Sequence, residues 1–495
     1  MVPPAIAEVA ARAQRELSGR VLAITLRSVR DLDIAEEATA DAFLLALQTW
    51  PERGVPASVE AWLVTAARRR AIDRIRSAQA ARRALIRSAG GLRGVTAAAD
   101  LTTEVGVIGD EELRMVVLCC DPRVAATEQV ALTLRLACGV PTAAIAAAFL
   151  ISEPTMAARL TRAKKRLAAA GPALDLPDDA TVDARLPSAR RVVHLAFTLG
   201  HTAAAGAALT DEDLADRAQY LARSLHVLRP DDAEFTALLA LILLTRARSG
   251  GRLDDEGQQV LLADADRSRW DRGAIAEGLA LLERAWAAGS PGPMTLQAAI
   301  AAEHARAPSA ATTNWRRVVD LYGNLLQQQP SPTVALGRCV ALASLSGAAA
   351  GLADLDEVIS LGGLERYPYA FGARAQMLSA LGRDAEARAE WTAAAGCART
   401  DAERDYFLGQ AAAPAQVDVA EGPVGGGNPG GGGNSGGGGN SGGGRKASAS
   451  TKTAGSVGAA GSVTTIGETT IGETTVGTGT LGSRMLSAPD GLTRR

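Results

Sequence analysis

The most constraining stretch of this chain runs from Glu128 to Ala170, which reads as three helices with two short breaks. The first carries Val130, Leu132, Leu134 and Leu136 and stops at Cys138-Gly139-Val140-Pro141. Thr142 suits an N-cap for a second helix, Ala143 to Phe149, whose small alanines permit close packing. Leu150-Ile151-Ser152 makes a tight turn. Ser152 then caps a third helix with Glu153 and Pro154 in its first turn, where an acid suits the helix dipole and proline loses no hydrogen bond.

Two helices joined by a short turn form the layout that places a recognition helix in a DNA major groove. On the third helix Thr155, Arg159 and Arg162 fall near one face, while Met156 and Leu160 make the inner stripe. Arg162, Lys164, Lys165 and Arg166 add a cationic run suited to phosphates. An ordinary helical hairpin with a solvated basic end is the competing reading, so the rest of the chain has to decide.

At 495 residues the chain exceeds one core, and two or three domains plus linkers are expected. Scarce aromatics and abundant Ala and Leu favour an all-α fold. The formal charge of −2 hides an asymmetry: residues 1–170 hold 23 Lys+Arg against 18 Asp+Glu, and residues 171–420 hold 23 against 32. A basic front suits nucleic acid and an acidic middle does not. No run of 18 or more apolar residues exists and the N-terminus lacks a secretory layout, which predicts a cytoplasmic protein with no membrane partner. Cys119, Cys120, Cys138, Cys339 and Cys397 form no CxxC pair, and the four histidines offer no ligand spacing. Reduced, buried thiols are expected, with no metal and no cofactor.

Upstream, residues 5–49 read as two or three helices. Phe43, Leu44 and Leu47 form a buried stripe, and Glu37, Asp41 and Gln48 look outward, a solvated face or a protein-docking one. After a loop from Pro51 to Pro56, Ser58 caps a long helix with Val59, Trp62, Leu63 and Ala66 on one side. Arg68, Arg69, Arg70, Arg74 and Arg76 wrap that helix, with Ile72 and Ile75 inside. Arginine suits phosphate forks and base stacking. Residues 77–109 lack periodicity and are expected to be a flexible linker.

These segments resemble a known family. AEEATADAFLLALQTW is similar to the core-polymerase-binding helix of bacterial extracytoplasmic-function (ECF) sigma factors, AWLVTAARRRAIDRIR resembles their promoter-melting helix, and residues 142–166 resemble their upstream-element reader. VLCCDPRVAATEQVALTLRL, FLISEPTMAARLTRAKKRL and ADRSRWDRGAIAEGLALLERAW look like the ECF subgroup with a long C-terminal helical-repeat extension. The chain departs from the pattern at Arg69, commonly Asn, at Asp121, commonly His, and at 194–204, where HLAFTLGHTAA replaces an aromatic, Asn-Glu-Gly-like segment.

The resemblance implies a region 2-like domain at 5–76, a linker at 77–109, a region 4-like helix-turn-helix domain at 110–170 and a tetratricopeptide-like solenoid at 187–410. It assigns Glu37, Asp41, Phe43 and Leu44 to core RNA polymerase, and Trp62, Arg69, Arg70, Arg74 and Arg76 to the opened −10 element. Thr142, Glu153, Thr155, Arg159, Arg162, Lys164 and Lys165 fall to the −35 element. The implied function is transcription initiation without enzymatic chemistry, regulated by the repeat domain, with core polymerase and promoter DNA as partners and a small YCII-like protein as a candidate partner of the repeats. A stand-alone helix-turn-helix regulator and a repeat-type interaction scaffold are the alternatives. A thiol hydrolase using Cys119 or Cys120 lacks any supporting elbow or paired histidine motif.

Residues 187–410 read independently as stacked helices. The run Phe235 to Leu244 is apolar all round, as in a central helix. Arg338 and Arg374 stand 36 residues apart in similar surroundings, close to a tetratricopeptide period. The alternating charges from Asp264 to Arg272 are read as a capping and ion-pair network, or as a contact with the DNA-binding half. The Gly/Thr-rich tail at 422–495 buries too little apolar surface to order and is expected to be disordered.

Overall fold

The computed structural model describes residues 3–88, 108–149, 151–169, 178–201, 211–252, 260, 262, 264–398 and 400–413. Among them the fold is all-helical, as the composition predicts. The 422–495 tail and residues 89–107 of the expected linker lie outside the described residues. Residues 77–88 do not belong to a linker, because the arginine-bearing helix runs on to Ser88.

Three helices make the first module: α1 (Pro4–Val29), α2 (Leu32–Arg53) and α3 (Val59–Ser88). Arg30, at φ 54°, turns the chain out of α1, and the Asp31 side chain accepts from the Ile34 amide at 3.0 Å to start α2. Fully buried Ala35, Ala38, Ala42 and Ala46 let α1 and α3 approach α2 closely, and Trp50 meets Trp62 edge-on at 5.5 Å. This packing corrects the predicted stripe. Phe43 joins the core at 7% exposure, whereas Leu44, one residue and about 100° further round the helix, is 58% exposed.

The second module holds α4 (Glu111–Cys119), α5 (Ala126–Leu136), α6 (Thr142–Ala148) and α7 (Glu153–Ala168). The Asp110 carboxylate accepts from the Glu112 and Leu113 amides, at 2.9 and 3.1 Å. Pro141 holds its own backbone extended, so α6 starts at Thr142 and the threonine makes no capping bond. Ser152 caps α7 as expected.

The remainder comprises α8 (Asp179–His201), α9 (Glu212–Leu228), α10 (Ala233–Arg246), α11 (Arg272–Ala287), α12 (Pro293–Arg306), α13 (Trp315–Gln328), α14 (Pro332–Ser346), α15 (Ala348–Ser360), α16 (Pro368–Ala380), α17 (Asp384–Cys397) and α18 (Asp401–Ala412). Helix α10 is buried on every side, as its apolar run requires. The repeat is visible in its bonds. Arg338 on α14 reaches Asp354 on α15 at 2.7 Å, and Arg374 on α16 reaches Glu390 on α17 at 2.5 Å, each spanning 16 residues. Such a recurrence is the mark of stacked helix pairs that contact only their neighbours. Asp266 and Asp271 cap the turn at Ser268 and the start of α11, at 2.9 Å each, so the charged 264–272 segment works inside its own domain.

What the linear pattern does not foretell is one continuous apolar core. It runs from Leu22, Leu26 and Leu32 of the first module through α4 to α7 and into α8 to α13. Helix α4 is buried all round, with Leu113, Met115, Val116, Val117 and Leu118 each at 1% exposure or less. Gly19 marks the closest approach: a Cβ there would stand 1.9 Å from the Ala137 carbonyl oxygen, so only glycine lets α1 cross the end of α5. The two modules therefore pack on each other here, rather than being held by a tether alone. No single described helix is long and apolar enough to cross a membrane.

Candidate nucleic-acid and polymerase interface

Helices α6 and α7 are inclined at 105° to each other, the two-helix arrangement expected of the motif. Met156, Leu160, Ala163 and Leu167 are at most 5% exposed and anchor α7 on its neighbours. That stripe turns Glu153, Thr155, Arg162 and Lys165 to solvent, with Arg159 half-buried at its edge and Thr142 half-buried at the start of α6. On α3, Leu63, Ala67 and Ala71 face the core, which leaves Arg69, Arg70 and Arg76 exposed. These three make no ion pair among the described residues, and Trp62 is half-buried against the first module's core.

Three of the predicted cations are already engaged. Arg74 binds Asp41 at 2.7 Å and also pairs with Glu37, so a residue assigned to DNA and two assigned to polymerase form one cluster. Lys164 donates to both oxygens of Glu36 on α2, at 2.5 and 2.7 Å, which couples α7 to the first module. Arg166 pairs with Glu128 on α5. Phe43 lies in the core, and exposed Leu44 is the apolar group that stands with Glu37 and Asp41 on α2.

The third domain locks onto both modules. Arg217 on α9, 8% exposed, donates to the Ala137 carbonyl at 2.6 Å and to the Glu16 carbonyl of α1. Ser224 donates to Asp110 at 2.6 Å, and Arg15 of α1 binds Asp213 of α9 at 2.6 Å. Asp121, 1% exposed, takes Arg123 at 2.7 Å and buried Arg185 of α8 at 2.8 Å. The hydrogen bonds from Arg123, with the nearby Arg185 charge, hold its carboxyl down to about 2. The position where the related pattern commonly has histidine thus anchors the junction.

Asp121 shows in the linear pattern only as a departure from the family's usual histidine, and Glu36, Arg185 and Arg217 do not stand out at all. The partners that join them across modules lie 64 to 201 residues away, and no local periodicity encodes such pairs. Cys119, Cys120, Cys138 and Cys339 are buried, and burial pushes the Cys119 and Cys138 thiols up to about 12, far from a nucleophile's range. No metal-holding cluster occurs among the described residues.

Comparison with known proteins agrees with this layout. Residues 14–81 match Sigma-70 region 2, residues 118–167 match Sigma-70 region 4, and residues 185–286 match a family of unknown function, DUF6596. The chain is 38% identical over 405 residues to the uncharacterized protein R00370 of Rhizobium meliloti, covering 79% of this chain and 93% of that protein. It is 34% identical over 97 residues to the ECF RNA polymerase sigma factor SigK of Mycobacterium bovis, 19% of this chain and 51% of SigK. The SigK of Mycobacterium ulcerans is 36% identical over 103 residues, 21% of this chain and 54% of that protein.

Proposed function

Since the chain belongs to the extracytoplasmic-function type of RNA polymerase sigma factor with a C-terminal helical extension, we propose that its two modules read the −10 and −35 elements of a promoter and that the extension governs their access to it. The protein is a sigma factor for transcription initiation, a role that implies binding to core RNA polymerase and promoter DNA. In the finer assignment α7 enters the major groove, with Arg159 and Arg162 on base edges, Thr155, Glu153 and Thr142 beside them, and Lys165 on phosphates. Arg69, Arg70 and Arg76, with Trp62, hold the unpaired −10 strand, and Glu37, Asp41 and Leu44 dock on polymerase. Melting follows from binding the open strand better than the duplex, a population shift that needs no catalytic group.

The observation that carries this reading is the pair of arginine sets, Arg69, Arg70 and Arg76 on α3 and Arg159 and Arg162 on α7, that make no ion pair among the described residues and stand on separate modules of one chain. A forked promoter duplex should be bound only together with core polymerase, with affinity falling steeply as salt rises. Equal binding without polymerase in a gel-shift assay favours the stand-alone regulator instead. The YCII-like candidate partner finds no support in these observations.

Regulation rests on the shared core. While Lys164 is bonded to Glu36 and α1 lies on α5, the modules cannot separate to reach two promoter elements. Gly19→Ala forces that crossing apart and keeps α1 helical, because alanine is the better helix former. The variant touches no residue assigned to DNA or polymerase. Its expected result is a several-fold change in promoter-dependent transcription with purified core enzyme, and wild-type activity would remove the regulatory part of the proposal.

A further inference from the structure

Away from both nucleic-acid surfaces, the third domain holds two buried arginines, Arg248 and Arg267, and a half-buried one, Arg252, whose described contacts supply no counter-charge. Arg248 and Arg252 flank a one-turn 3-10 helix, Ser249–Gly251, which packs on a second, Arg267–Arg269. Arg248 is 5% exposed, its guanidinium makes no hydrogen bond among the described residues, and its Nε is enclosed without an acceptor. Arg252 reaches His201, at 2.7 Å to the carbonyl and 3.1 Å to Nε2. Arg267, 8% exposed, lies 4.6 Å over the Trp270 ring and donates to the His304 carbonyl at 2.8 Å and to the Ala307 carbonyl.

Around these guanidinia other polar atoms stand idle. Trp270 Nε1, a donor, and the two ring nitrogens of His304, one donor and one acceptor in the neutral imidazole, are buried without hydrogen-bond partners among the described residues. Burial, together with the Arg252 and Arg267 charges, brings Arg248 down to about 10, and burial with Arg248 and Arg267 keeps His304 neutral at about 3. The described carboxylates that influence Arg252 are committed elsewhere. Glu212 pairs with Arg246, and Glu403 accepts from the Tyr369 hydroxyl and the Thr400 amide. Isolated buried charge is costly unless it is paired, so a cluster of this kind calls for an anion.

We propose that Arg248, Arg252 and Arg267 form a binding site for a small oxyanion, the carboxylate or phosphate group of a metabolite, enclosed in the helical-repeat domain. Planar guanidinia suit such groups because they donate two hydrogen bonds at once. A ligand held there would set the packing of the 3-10 turns on α12, and through the shared core it would reach the modules. The site makes no contact with the promoter-reading residues, so it stands or falls independently of the promoter assignments.

The test uses the full chain in calorimetric titration and thermal unfolding, with inorganic phosphate and with succinate, against chloride at equal ionic strength. Saturable stabilisation by phosphate assigns the site to phosphate esters, and by succinate to carboxylates. Binding should weaken about tenfold or more in Arg248→Gln. Arg252→Gln repeats the measurement should the first variant fail to fold. Absence of a saturable response in the wild type overturns the proposal, as does an equal response in the folded variants. Asp254, Asp255 and Glu256 lie outside the described residues and are the rival counter-charge. Anion binding that emerges only when all three are changed to amides shows that the chain neutralises its own cluster, and this too overturns the site.

Discussion

Asp121→Asn is expected to lower the stability of the folded chain by about 3–5 kcal/mol, the usual penalty for removing one partner of a buried ion pair. The substitution takes the counter-charge from Arg185, whose side chain is 6% exposed and whose other described contact is a 3.5 Å approach to the Val117 carbonyl. Because that pair joins α8 to the second module, the loss falls on the junction rather than on either part. The pH dependence has a definite sign. With the Asp121 carboxyl held down to about 2, against an ordinary carboxylate value near ~3.9, its contribution is complete above the unfolded value. It is lost as pH falls toward the folded value. Denaturant melts of wild type and variant should therefore differ most at neutral pH and draw closer in acid. A difference that stays constant down to pH ~2 would contradict the pairing.

The second large effect concerns DNA. Arg159→Ala and Arg162→Ala should each reduce discrimination between cognate and altered −35 sequences by about 1–3 kcal/mol, roughly 5- to 150-fold. Lys165→Ala behaves differently. It should weaken all duplexes alike and lower the salt slope by about one. The contrast is read in competition binding with core polymerase present. Uniform losses in all three variants would demote α7 from a sequence reader to a phosphate contact. Lys164 is bonded to Glu36, so Lys164→Ala carries two effects, a lost phosphate contact and a loosened clamp.

Much of the recognition surface is legible in the order of residues along the chain. The Met156 and Leu160 stripe on α7, which Ala163 and Leu167 extend in the fold, and the wrapping arginines of α3 follow from helical geometry, and their burial and exposure agree. The Ser152 cap and the buried α10 run are legible for the same reason. Local pattern misleads where a neighbour not adjacent in sequence decides the outcome. Phe43 and Leu44 are both large apolar residues on α2, and their burial is set by where α1 and α3 land. Thr142 loses its cap to Pro141, whose ring holds an extended backbone one residue earlier than the threonine would have done.

Local pattern thus determined the helices, their exposed arginines and the family to which they belong, because those properties repeat at the spacing of one helix. Tertiary structure alone decided that the modules share a core, that Lys164 seeks Glu36, and that Asp121, Arg185 and Arg217 bind the third domain to the first two. Ion pairs and apolar contacts act over a few ångströms of space whatever their separation along the chain. A carboxylate and a guanidinium tens of residues apart become partners only once folding has brought their helices together.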